Sequence, residues 1–103
     1  MKIPSRGDVV WLSMDPTYGH EQAGHRPHLV LSGERLAQTM GLVIAVPMTS
    51  VRRPWATRVR LRDGSYAIGE QPRTFSVSRI TKVENAGYDV EPVIAVIQKL
   101  LED

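Results

Sequence analysis

Apolar positions fall in short blocks divided by glycine, proline and polar pairs, a spacing that predicts strands more often than helices. Residues 8–12 are rich in β-formers and predict a first strand, ended by Asp15-Pro16-Thr17 because proline does not join a central ladder. A glycine-bearing loop follows, and residues 27–31 predict a second strand. Ser32 is placed to cap a short helix over residues 33–38, stopped at Met40-Gly41. Residues 42–46 are apolar throughout, which predicts a central strand buried on both faces and closed by Pro47. Residues 56–62 alternate: Thr57, Val59 and Leu61 point one way, and Arg58, Arg60 and Arg62 the other. Asp63-Gly64 is a hairpin turn, residues 65–69 return as its partner strand, Pro72 breaks the pairing, and residues 77–83 predict a last strand. After a turn at Asn85-Ala86-Gly87, Asp89 caps a final helix with Pro92 in its first turn. Its apolar face, Val90, Val93, Ile94, Ile97, Leu100 and Leu101, suits core or dimer packing. The expected fold is mainly β with a C-terminal helix: a small, strongly bent, SH3-like antiparallel β-barrel. No βαβ alternation calls for a parallel sheet.

At 103 residues the chain is expected to form one domain, 1–103, around one modest core. It has no cysteine, which removes disulfides and thiolate chemistry and fits a reducing compartment. No apolar run reaches the roughly 18 residues of a membrane span. The opening "MKIPSRGD" lacks a signal peptide's apolar stretch, so a cytoplasmic location without membrane partners is expected. Residues 1–83 hold 12 Lys/Arg against 6 Asp/Glu, a charge of +6, whereas residues 84–103 hold 1 against 5, or −4. Ten of the thirteen cations are arginine, whose planar fork suits phosphate and carboxylate. The basic body therefore points to an anionic partner, nucleic acid or an acidic peptide.

Titratable chemistry gathers at residues 18–27, "YGHEQAGHRP". His20-Glu21 followed by His25 does not make a zinc-protease motif. Its histidines must lie four apart on one helix face, whereas five residues turn about 140° around a helix, and Gly24 and Pro27 oppose a helix here. No metal site is expected. The stretch lacks the P-loop pattern, and no serine-triad signature occurs. What remains is an acid, an arginine and hydroxyls, enough to cleave RNA through its own 2′-hydroxyl. Glu21 can serve as base, Arg26 can bind the phosphate through paired N–H donors, and Thr49 or Ser50 can donate from a strand end. From spacing alone, a surface ion pair beside a turn is the favoured reading of Glu21 and Arg26.

Residues 6–16, "RGDVVWLSMDP", and 19–32, "GHEQAGHRPHLVLS", resemble the N-terminal signature of the MazF/PemK/Kid family of bacterial toxins, and "VPMTS" (46–50) and "EQPRT" (70–74) resemble its two later motifs in order. The resemblance implies a homodimeric barrel of PemK/CcdB type. It also implies a sequence-specific endoribonuclease without metal or cofactor, leaving a 2′,3′-cyclic phosphate and a 5′-hydroxyl on single-stranded RNA, and a cognate antitoxin whose acidic tail occupies the RNA groove. Glu21 and Arg26 fall on the family's catalytic loop and strand, Thr49 on its hydroxyl after the central strand with Ser50 beside it, and Glu70-Gln71 on its Asp-Gln. Glu70 stands where aspartate is usual, and Ile68 where one branch carries arginine, so Glu21 with Arg26 is the expected pair. Arg52, Arg53, Trp55, Arg58, Arg60 and Arg62 are read as a phosphate track with a stacking indole, the alternative being an exposed edge strand kept soluble by charge. His20, Gln22 and His25 are expected along the approach, and Arg73 completes the RNA-contacting set. Two other readings use the same barrel: a CcdB-like protein-binding poison, opposed by the acidic ending "QKLLED", and an inactive binding module.

Overall fold

The computed structural model describes residues 3–13 and 25–102. Seven strands are present: β1 (Val9–Ser13), β2 (His25–Val30), β3 (Leu42–Thr49), β4 (Arg58–Arg60), β5 (Tyr66–Ile68), β6 (Arg73–Ser76) and β7 (Ile80–Glu84). Helix α1 (Glu34–Met40) lies between β2 and β3, and α2 (Glu91–Leu100) ends the chain. All pairings are antiparallel, in the order β4-β5-β3-β2-β1-β7, with β6 also on β3. Among the described residues these pairings form an open path from β4 to β7, not a closed ring.

β3 organises the sheet. One edge meets β2 at residues 45–47; the other meets β6 at residues 42–45 and β5 at 48–49. The strand therefore runs through Pro47, which the sequence predicts as its end. The Ile44 carbonyl accepts from Leu31 N–H at 2.9 Å, so alternation turns Pro47's nitrogen to the opposite edge. There β6 has already left and β5 has yet to join, and proline forfeits no ladder bond. Ile44 is 37% exposed, so β3 is not buried along its whole length on both faces.

Other boundaries also differ from the expectation. β2 starts two residues before the predicted Pro27. Ser32 does not cap α1; its Oγ accepts from Ile44 N–H at 2.9 Å, tying the loop to β3, and Gly33 occupies the cap position. Gly41 ends α1 in the left-handed conformation (φ 67°), as expected. The predicted last strand is divided: Val77–Arg79 is a 3-10 turn, whose Ser76 cap accepts from Ser78 N–H, and β7 begins at Ile80. β6 has no counterpart in the sequence reading, because only Phe75 of its four residues is buried.

Two apolar clusters occupy the two sheet faces. Val9, Leu29, Val46 and Met48 lie beneath α2, which inserts Val93 and packs Ile94 and Ile97 beside it. Val10, Leu12, Val30, Val43 and Phe75 form the other cluster. A fully buried Leu or Val side chain contributes roughly 1.5–3 kcal/mol. α2 sits close because Gly69 leaves room: a Cβ there would meet Thr57 O at 2.8 Å and Val96 Cγ1 at 2.9 Å. Asp89 does not cap α2, since Val90 occupies the cap position; one residue earlier, the Asp89 carboxylate accepts from Glu91 N–H at 3.0 Å.

Candidate nucleic-acid interface

Sheet register aligns the residues in question. β2 and β3 pair from Val30–Ala45 to His28–Pro47; Arg26 and Thr49 each lie two residues past that last pair, Arg26 opposite Leu12 on β1. Thr49 pairs with Tyr66 on β5, and Tyr66 with Arg60 on β4. Directly opposite side chains share a face. One row therefore crosses three strands as Arg60, Tyr66 and Thr49, about 10 Å long at the ~4.8 Å strand spacing, and Arg26 shares their face two residues beyond His28. The pairs Arg58–Ile68 and Pro47–His28 lie on the same face, which also carries Arg73, paired with Ala45.

Thr49 ends β3, and its Oγ1 accepts from Val51 N–H at 3.1 Å, which turns the chain at Ser50. Arg26 is half-buried. Behind it, His28 is 3% exposed. Its Nδ1 lies 3.1 Å from the Arg26 carbonyl, which only accepts, so Nδ1 carries the proton. The ring meets Phe75 edge-on, with centroids 5.1 Å apart. Burial, and then the charges of Arg26 and Arg73, lower its pKa to about 4, against the opposing effect of the carbonyl bond. His28 is therefore neutral beside two arginines.

The arginine row from 52 to 62 is not uniform. Arg52, Arg53 and Arg60 are exposed. Arg58 is folded back: Nη1 donates to Val51 O at 3.1 Å, and its guanidinium lies 5.1 Å from the Trp55 ring, itself 52% exposed. Arg62 donates to Ala86 O and stacks 4.1 Å from the Tyr88 ring. Arg73 is exposed, 5.4 Å from the Phe75 ring. Glu70 and Gln71 lie beyond β5; Gln71 is exposed, while Glu70 Oε1 is buried and has no hydrogen-bond partner among the described residues. His20, Glu21 and Gln22 lie outside the described residues, and His25 opens β2 opposite Ser13.

Thr49 and Ser50 also border a cleft of ≈ 500 Å³ walled by Trp11, Asp63, Ser65, Glu84 and Tyr88. A family described as the PemK-like, MazF-like toxin of type II toxin-antitoxin systems matches residues 5–101. The chain belongs to this family. It is 37% identical over 78 residues to the endoribonuclease toxin MazF of Escherichia coli K12, covering 72% of this chain and 69% of that one. With the endoribonuclease PemK of Escherichia coli it shares 42% identity over 45 residues, 44% of this chain and 34% of PemK. A MazE-MazF crystal structure from Deinococcus radiodurans superposes with TM-score 0.80 at 30% identity, covering 97% of this chain and 94% of that one. MazF alone from the same organism gives 0.75 at 30% identity, covering 98% of each.

In this toxin-family chain the motif residues Arg26 and Thr49 lie on neighbouring strands, two residues past the His28–Pro47 pair, whereas Glu70 and Gln71 are placed in the turn after β5. The sequence reading missed Tyr88, Asp63 and the buried role of His28. Alternation along β2 carries a signal for His28, which shares parity with the core residue Val30.

Proposed function

We propose that this chain is a metal-independent endoribonuclease toxin that cuts single-stranded RNA and is held in check by an acidic antitoxin. The row Arg60–Tyr66–Thr49, with Arg26 on the neighbouring strand β2, carries the reading: cations and hydroxyls spaced across strands can follow a ribose-phosphate backbone. Glu21 takes the 2′-hydroxyl proton as the 2′-oxygen bonds to phosphorus. Arg26 and Thr49, with Ser50 beside them, donate to the non-bridging oxygens. The bond to O5′ breaks, and O5′ takes a proton from a general acid, leaving a cyclic phosphate and a 5′-hydroxyl. Arg52, Arg53, Arg58, Arg60, Arg73 and Trp55, with His20, Gln22 and His25, contact RNA beyond the scissile linkage. Glu70, supported by its unpartnered Oε1, is the second reading for the base.

The 103 residues are read as one toxin domain, its bent sheet an SH3-like barrel of PemK/CcdB type. The functional unit is a homodimer. Leu101 is 81% and Leu100 51% exposed, and an apolar groove of ≈ 270 Å³ runs beside them between Ala56-Thr57 and α2, a surface a second copy would cover. No helix among the described residues is long and apolar enough to cross a membrane; a bacterial cytoplasmic toxin is the reading. The test is incubation with a defined RNA in EDTA. Wild type should release fragments ending in a cyclic phosphate. Arg26→Ala should lose about 10²–10³-fold in rate while keeping its fold and dimer. Full activity in that variant removes Arg26 from the mechanism; no cleavage by wild type refutes the nuclease.

A further inference from the structure

The cleft beside Thr49 contains side chains that the cleavage chemistry does not use. Its volume falls within the ~300–1,000 Å³ of small-molecule sites. Two of its walls carry aromatic rings, Trp11 and Tyr88. The Tyr88 wall is firmly held. Tyr88 N–H donates to Gly7 O at 3.0 Å, and Gly7 (φ 91°) permits the approach, since a Cβ there would lie 2.6 Å from Tyr88 O. On the ring itself, the Arg62 guanidinium stacks at 4.1 Å, anchored to Ala86 O. Trp11 has Lys82 Nζ 5.8 Å from its ring, and its buried Nε1 has no partner among the described residues.

Between the rings stand carboxylates. Asp63 Oδ1 accepts from Ser65 Oγ at 2.7 Å and Ser65 N–H at 2.9 Å, and these bonds, with a smaller one from Tyr88, hold its pKa below the ordinary carboxylate value. Glu84 Oε2 is 3.6 Å from Lys82 Nζ. When ionised, both groups accept hydrogen bonds and cannot donate them. A planar ligand that stacks on aromatic rings and offers N–H donors at its edge matches this lining; an acidic peptide would bring carboxylates against carboxylates.

We propose that this cleft binds one nucleobase with an exocyclic amino group, and that Asp63 and Glu84 select it. This rests on the ribonuclease reading and deepens it: the backbone follows the arginine row while one base turns over the Thr49–Ser50 rim into the cleft. Guanine, adenine and cytosine each offer an amino donor to a carboxylate. Uracil sets two carbonyl oxygens around a single N–H and is repelled.

The test reads binding without cleavage. In a Trp55→Phe background, Trp11 fluorescence is titrated with uncleavable 2′-O-methyl trinucleotides that carry guanine, adenine, cytosine or uracil between two uracils. At least one amino-bearing base should bind about tenfold tighter than uracil. Asp63→Asn, which keeps the Oδ1 acceptor of the turn, and Glu84→Gln should each reduce that ratio several-fold while leaving the all-uracil trinucleotide within about twofold. Equal binding of all four bases overturns the proposal. So does an equal loss for all four in both variants, or quenching by polyglutamate alone. RNA cleavage is assayed separately on the same proteins. Base selection without cleavage would refute the nuclease and leave the subsite standing; cleavage without base selection would do the reverse.

Discussion

His28 is a case in which one strand position supports its neighbour. Its Nδ1–H is committed to the Arg26 carbonyl and its ring to Phe75, so it fixes the backbone from which Arg26 projects. Its folded pKa, about 4, lies below the ordinary 6.5. As pH falls, the unfolded chain therefore takes up this proton first. The stabilisation is intact above pH ~6.5 and is lost towards pH ~4, up to about 3 kcal/mol. His28→Phe keeps the ring packing and removes the titration. Its thermal midpoint should fall less steeply than wild type between pH 7 and 4.5; parallel curves would mean that His28 is not held neutral. Residue identities at the site were legible where short motifs carry them: Arg26 before its proline and Thr49 at the end of an apolar run. The fates of Arg58 and Arg62 were not. Alternation gives the face of a side chain, whereas the ties to Val51 and Ala86 depend on loops brought close by folding.

Among the elements, the β4–β5 hairpin and α2 followed from local chemistry, an Asp-Gly turn with alternating arginines and a 3.6-residue apolar period. β6 and the continuation of β3 did not, because both depend on which partner is available at each edge. Pro47 reads as a strand end until the gap between β6 and β5 is known. The same dependence on neighbours governs Gly69, where α2 crosses the end of β5. Gly69→Ala should cost about 1–3 kcal/mol, because Thr57 O is backbone and cannot withdraw as a flexible side-chain tip can. Denaturant unfolding measures this; a neutral effect would mean that α2 is free to shift.

At the scale of the whole molecule, the basic body and the acidic last twenty residues meet: Arg6 lies 3.7 Å from Glu91, and Arg62 packs on Tyr88. The arginines occupy β4, β6 and the loop before β4, whereas Asp89, Glu91 and Glu102 lie around α2. The proposed RNA track lies on the sheet, and the exposed last turn of α2 is left for a second copy. Leu100→Glu should weaken the dimer by at least tenfold, read by sedimentation equilibrium, with the monomer's circular dichroism unchanged; an unaltered association constant would place the interface elsewhere.

In the proposed mechanism the ribose 2′-hydroxyl is the nucleophile, which the protein itself does not have to supply. An RNA whose cleavage site has been mapped is compared, in EDTA, with the same strand carrying deoxyribose only at the scissile nucleotide. The account predicts that the deoxy strand still binds but is not cut at that linkage; cleavage there at an undiminished rate would contradict it.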